Sequence, residues 1–213
     1  MQIESTPLDD SAAPSVATNR RNSLRGATDH LHRDLDRIAA GFNLSDVTHY
    51  RRFLQANAAT LIAIEGLLEN AGVDKLLPDW AARSRRDAIL ADLQSLGVEV
   101  QPLALRRTAP TAAEIFGILY VLEGSRLGAR MLLEQVLAST DPSVRNAASY
   151  LRHGQPEAGS SGLWYSFLQQ LETNADADDQ TQTVSGAVYA FTMFIRSFRH
   201  AAADLRLRTA PAA

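Results

Sequence analysis

The chain has 213 residues, of which 46% are hydrophobic and 21% charged, and it carries a net charge of −3 and no cysteine. That length suits one domain. The missing cysteines exclude a disulfide scaffold, a thiolate metal centre and a thiol nucleophile, and the mildly acidic balance is unlike that of a basic nucleic-acid binder. Thirty-four alanines against 12 glycines and 8 prolines lean the composition towards helix. Twenty of the 21 cationic residues are arginine and Lys75 is the only lysine, so any anion site must use arginine.

Residues 1–21 are polar and lack the apolar core of a secretory signal. They read as a disordered leader. No run of about 18 uncharged apolar residues occurs, so no membrane span is expected and the chain reads as cytoplasmic. A first helix is expected from Asn22 or Ser23, with Leu24, Thr28, Leu31, Leu35 and Ile38 spaced as one helical stripe. Ser45 or Asp46 caps a second helix that runs to about Asn70.

A third helix is expected from about Pro78 to Leu96, stopped by Gly97, with Arg83, Arg85 and Arg86 forming a solvated face. Residues 98–110 form a connector. Thr111 and Glu114 then make a capping box that opens the longest apolar run, a helix interrupted by Gly117, Gly124 and Gly128. Asp141 and Pro142 open a short helix ending near His153. Two further helices carry Leu163 to Leu171 and Val184 to Phe198, and residues 206–213 read as a flexible tail. The expected architecture is all-α: a single-domain helical bundle over 22–205.

Of the five histidines, none lies in a Glu-x-x-His or His-x-x-x-His pattern, which leaves di-iron and zinc-protease sites unsupported. His32 lies about 80° from the centre of the first helix's apolar stripe, where a side chain faces a crevice. Arg25 is two turns earlier on nearly the same line, roughly 10 Å away. Position alone leaves two readings open, a surface histidine beside a solvated arginine, or an axial ligand with an anion anchor. Gly124 and Gly128 share one helix face with Tyr120. They suit either close helix packing or close approach of the backbone to a flat ligand, and sequence geometry does not separate the two. Ser125 adjoins that face and can bond back to the carbonyl four residues earlier.

Two segments, LRGATDHLHRDLD (24–36) and YVLEGSRLGARML (120–132), together resemble the proximal and distal helix patterns of bacterial, biliverdin-forming haem oxygenases. Weaker echoes extend the resemblance over about residues 22–200. It implies a bundle of the haem oxygenase type, with haem b sandwiched between the two helices as both substrate and cofactor. It also implies oxidative cleavage of haem to biliverdin, CO and ferrous iron with O2. His32 then matches the iron ligand, Gly124 and Gly128 the glycines over the iron, and Ser125 a holder of distal water. Arg25 and Tyr120 match propionate-edge contacts. Thr28 lies in the proximal pattern among the haem contacts, and Tyr189 and Arg196 reach towards propionates from the last helix. Asp29 stands where some members have lysine, and no aspartate lies in 120–132. No G-x-G-x-x-G motif occurs, so electrons are expected from a separate reductase or ferredoxin. A bacteriophytochrome receiving biliverdin is a further implied partner. The rival reading is a haem carrier or sensor of the same fold without turnover.

Overall fold

The computed structural model describes residues 16–107, 109–155, 162–174 and 179–209. The described residues form ten helices and no strand: α1 (Val16–Ala39), α2 (Val47–Asn70), α3 (Val73–Leu76), α4 (Trp80–Arg83), α5 (Arg86–Ser95), α6 (Ala112–Leu137), α7 (Pro142–Asn146), α8 (Ser149–Arg152), α9 (Gly162–Asn174) and α10 (Gln180–Thr209). The expected all-α class is the observed one. Residues 1–15 of the expected leader and 210–213 of the expected tail lie outside the described residues, as do 156–161 and 175–178. Residues 16–21 belong to α1 and 206–209 to α10 rather than to a leader and tail.

The long C-terminal helix α10 is the spine, and α1, α2 and α6 all pack on it. Helix α1 runs in the same direction as α10: Gln180 bonds Ser23 at one end (3.2 Å), and Arg199 bonds Asp34 further along (2.6 Å). Helix α2 runs the opposite way, with Ser197 donating to the Ala56 carbonyl (2.7 Å) and Thr60 to that of Met193 (3.3 Å). Helix α6 crosses α10 where Gly117 meets the Thr183 carbonyl and Gly186 meets that of Glu114. Apolar faces of all four helices close one core, with Leu24, Leu61, Ile64, Phe116, Leu119 and Phe198 among its members.

The caps read from the sequence are present. Asp46 accepts from the Thr48 and His49 amides at the start of α2, and Thr111 and Glu114 form the reciprocal capping box of α6. The expected helix over 78–96 is two helices instead. Glu65 of α2, buried, accepts from the Arg85 amide (2.9 Å), the Arg86 amide (3.2 Å) and the Ser84 hydroxyl (2.6 Å). This distant carboxylate caps α5 and stops the helix from continuing through Ser84 and Arg85. The short helix after Asp141 is likewise split into α7 and α8, with Asp92 of α5 accepting from the Ser149 and Tyr150 amides at 2.9 and 2.8 Å. In contrast to the expected interruptions, α6 is continuous through its three glycines.

Candidate functional site

Helices α1 and α6 hold the residues singled out in the sequence. Both pack on α10 and on α9 but barely touch each other. His32 lies on the α1 side. Its side chain is 60% exposed, and its ring meets Phe191 of α10 edge-on at 5.9 Å. Asp36, one turn on, places a carboxylate oxygen 3.6 Å from Nδ1. The two exposed side chains lie within ion-pair reach of each other without a hydrogen bond. No group of three or more histidine, cysteine, aspartate or glutamate side chains gathers among the described residues. His32 therefore offers one ligand, which suits a metal whose other positions are filled by a ligand of its own.

The α6 side is a glycine cradle. A Cβ added to Gly128 would meet nothing within 4 Å, and one added to Gly124 would meet only the Trp164 ring edge at 3.6–3.7 Å. Gly117 contrasts with both: its added Cβ would lie 1.9 Å from the Thr183 carbonyl oxygen. The two explanations left open for the glycines thus divide along one helix. Gly117 serves a helix crossing, Gly124 lies against the Trp164 ring of α9, and Gly128 faces open space. Beside the open glycines, Leu127 and Met131 are 57% and 70% exposed, costly apolar surface unless a flat apolar ligand covers it. A groove of about 200 Å³ beside Leu127, Trp164 and Tyr165 borders this region. The larger groove, about 410 Å³, lies elsewhere, between the end of α1 and the end of α10.

Tyr120 and Trp164 form the rim, with ring centroids 5.6 Å apart. Burial raises the Tyr120 hydroxyl's pKa, while Arg21 and Arg25 of α1 pull it down. The structure therefore brings Arg25, Tyr120 and Gly124 into one neighbourhood, with His32 two turns along α1 from Arg25 and Gly128 one turn along α6 from Gly124. The donor set fits a flat macrocycle with carboxylate arms: one imidazole, a backbone cradle, exposed apolar side chains and guanidiniums at the rim.

Other expected site residues lie differently. Thr28 is buried, and its hydroxyl donates to the Leu24 carbonyl at 2.7 Å within α1. Ser125 bonds back three residues rather than four, to the Leu122 carbonyl (2.7 Å), and accepts from Arg85 (3.0 Å). Tyr189 and Arg196 are not brought to His32. Tyr189 is two residues from Phe191, about 160° round α10. It stacks under Arg107 at 4.9 Å, with its buried hydroxyl unbonded, and Arg196 donates weakly to the Ala104 carbonyl (3.4 Å).

The arginines expected to be solvated are the largest correction. Arg83 and Arg85 are buried, and Arg86 is partly so. Glu123, 1% exposed, pairs with Arg83 (2.9 Å) and Arg126 (3.0 Å). Arg83 also bonds Asp79, the Leu163 carbonyl and Ser166, and Arg85 also holds the Leu122 carbonyl at 2.9 Å. This network ties α4, α6 and α9 together behind the glycine face. Periodicity does not show it, because its members come from three separate segments. The local signals are Glu123 and Arg126, three residues apart, and Asp79 and Arg83, four apart.

A model of the heme oxygenase family matches residues 19–200. The heme oxygenase PigA of Pseudomonas aeruginosa is 29% identical over 192 residues, covering 88% of this chain and 96% of its own length. A heme oxygenase of Xanthomonas campestris pv. campestris is 28% identical over 156 residues, covering 73% and 92%. Among solved structures, the NO- and CO-bound heme oxygenase of Neisseria meningitidis matches with a TM-score of 0.69 at 21% identity, over 86% of this chain and 92% of that one. At that identity the likeness is one of fold.

Proposed function

The chain belongs to the haem oxygenase family, and from that premise we propose that it binds haem between α1 and α6, with His32 as the iron ligand, and opens the macrocycle to biliverdin, CO and ferrous iron. The observation that carries the reading is the pairing of an exposed histidine on α1 with two glycines on α6, of which Gly128 faces open space and Gly124 meets only the Trp164 ring edge.

When bound, haem supplies an iron that activates O2 and the carbon that is oxidised, so it is substrate and cofactor together. The chain's residues supply the setting. His32 gives a neutral imidazole, and such a ligand donates less electron density than a thiolate. Gly124 and Gly128 would leave the α6 side of the bound group open to O2 and water, and would present backbone there instead of a side-chain acid. Leu127 and Met131 cover ring surface and exclude bulk water. Arg25 and Tyr120 hold a propionate at the rim. Ser125, pulled towards Arg85, acts through the pitch of α6. Tyr189 and Arg196 lie on the far side of α10, which favours dropping them from the haem contacts. Thr28 holds the α1 backbone behind the ligand.

Electrons come from a separate reductase or ferredoxin, drawn to the exposed arginines by charge complementarity. The biliverdin formed is available to a bilin-using acceptor such as a bacteriophytochrome. Among the described residues no helix is long and apolar enough to cross a membrane.

The test is reconstitution with haemin, followed by reduction under air. Decay of the Soret band into a biliverdin spectrum supports the reading. A stable oxygenated complex would point to a carrier or sensor instead.

A further inference from the structure

Helix α9 packs on both α6 and α1, and Trp164 is the side chain it sets against the glycine face. The indole is buried, 7% exposed, with the Tyr120 ring of α6 at 5.6 Å and the Phe167 ring of α9 at 5.9 Å from it. Its benzo edge, atoms Cζ3 and Cη2, lies 3.6 and 3.7 Å from where a Cβ on Gly124 would stand. The backbone that carries it is pinned. Arg83, 1% exposed, donates to the Leu163 carbonyl (2.9 Å) and the Ser166 hydroxyl (2.8 Å), which flank Trp164 in sequence. The same guanidinium pairs with Glu123, the residue before Gly124, at 2.9 Å. One buried side chain thus fixes the indole relative to Gly124. One turn further along α6, about 6 Å away, the wall has ended. Gly128 faces open space, and Leu127 and Met131 beside it are exposed.

We propose that Trp164 is a specificity-determining residue: its benzo edge is a steric wall that keeps the room for O2 at the Gly128 end of the α6 face, and so selects which bridging carbon of the bound ring is oxidised. This rests on the haem-binding reading above. The overall reaction is unchanged, and the wall decides only which bridge leaves as CO. An indole has few rotamers, and one packed between two other rings does not swing aside without losing those contacts. Such a wall discriminates by size: a small ligand on the α6 side fits beside it, and a bulky one meets it. A shorter ring at this position withdraws the edge from Gly124. It leaves the Arg83 clamp in place, since those bonds go to the Leu163 backbone and to Ser166.

The experiment uses the full chain loaded with haemin, as wild type, Trp164→Phe, Trp164→Leu and Trp80→Phe. Trp80 is the other tryptophan of the chain, buried on α4 with its indole donating to Glu69 (3.4 Å), and it controls for loss of an indole from the core. One readout is the affinity of the ferric complex for cyanide and for 4-phenylimidazole. The other is the set of biliverdin isomers formed on reduction under air, separated by chromatography. Trp164→Phe should bind 4-phenylimidazole about tenfold more tightly than wild type, with cyanide affinity changed by less than about twofold. It should also form a second biliverdin isomer where wild type forms one. Trp164→Leu, which keeps apolar bulk in the core, should shift both readouts in the same direction, and Trp80→Phe should shift neither. An isomer pattern unchanged in both Trp164 variants overturns the inference, as does unchanged 4-phenylimidazole affinity in both, or an equal change in Trp80→Phe. Haem binding stands in each of those cases. A wild type that binds no haemin, or binds it without forming biliverdin, overturns the functional reading and this inference with it.

Discussion

Gly117 of α6 and Gly186 of α10 face each other so closely that a Cβ on either would enter the other helix's backbone, at 1.9 Å from the Thr183 oxygen and 2.1 Å from the Glu114 oxygen. Eleven residues on from Gly117, Gly128 would meet nothing. Alanine at Gly117 or Gly186 should therefore destabilise the haem-free chain by about 1–3 kcal/mol, because the helices must part. Alanine at Gly128 should stabilise it by about 1 kcal/mol through helix propensity. Thermal melts of the three variants check the contrast, and equal losses in all three would remove the distinction between packing and cradle glycines. Gly128→Leu should melt at or above the wild-type temperature yet abolish haem turnover.

Glu123 is a buried carboxylate between two buried guanidiniums. Glu123→Ala leaves buried Arg126 without a carboxylate partner and Arg83 with Asp79 alone, and should cost about 3–5 kcal/mol. The exposed Arg130–Glu134 pair, at 3.9 Å, is the control. Glu134→Ala should cost under about 1 kcal/mol. Urea unfolding of both variants reads the difference.

His153 should make the fold acid-sensitive. Burial, then Arg126 and Arg85, push its pKa below the usual histidine value, and Arg126 points a guanidinium nitrogen at Nδ1, 3.3 Å away. The folded chain thus binds this proton less readily than the unfolded chain does. Its contribution is present above about pH 6.5 and is lost as pH falls from there towards the depressed folded value. Melting temperatures at pH 7.5 and 5.5 should fall more steeply in wild type than in His153→Gln. Parallel slopes would show that His153 does not carry the effect.

Tyr189 carries a buried hydroxyl with no bond. Tyr189→Phe should be neutral or stabilise by up to about 1 kcal/mol, since it removes an unsatisfied polar group. Haemin affinity should be unchanged in this variant and in Arg196→Ala. A loss of affinity in either would return the far face of α10 to the site.

Local signals were legible in the sequence where structure depends on local chemistry. Asp46 and the Thr111–Glu114 pair mark helix starts because a cap acts within four residues. The line through Tyr120, Gly124 and Gly128 is legible because helical spacing alone puts them on one face. The break at Ser84 and Arg85 was not legible, because Glu65, twenty residues away, makes it. Nor was the burial of Arg83 and Arg85, since only the fold supplies Glu123 and the Leu122 carbonyl as partners. The roles of Gly117 and Gly128 cannot be told apart by period, because what differs is whether α10 or open space lies opposite each. Arg21 lies in the expected leader, outside the expected first helix, so the sequence does not point to its contact with Trp164.

The central claim is that His32 of α1 ligates the iron of a haem lying against the α6 glycines. Its most direct measurement is the ferric absorption and electron paramagnetic resonance spectrum of haemin-reconstituted His32→Ala, with and without added imidazole. The account predicts loss of the wild-type axial-ligand signature in the variant and its return when imidazole fills the vacated space. A variant spectrum identical to wild type without imidazole would contradict it.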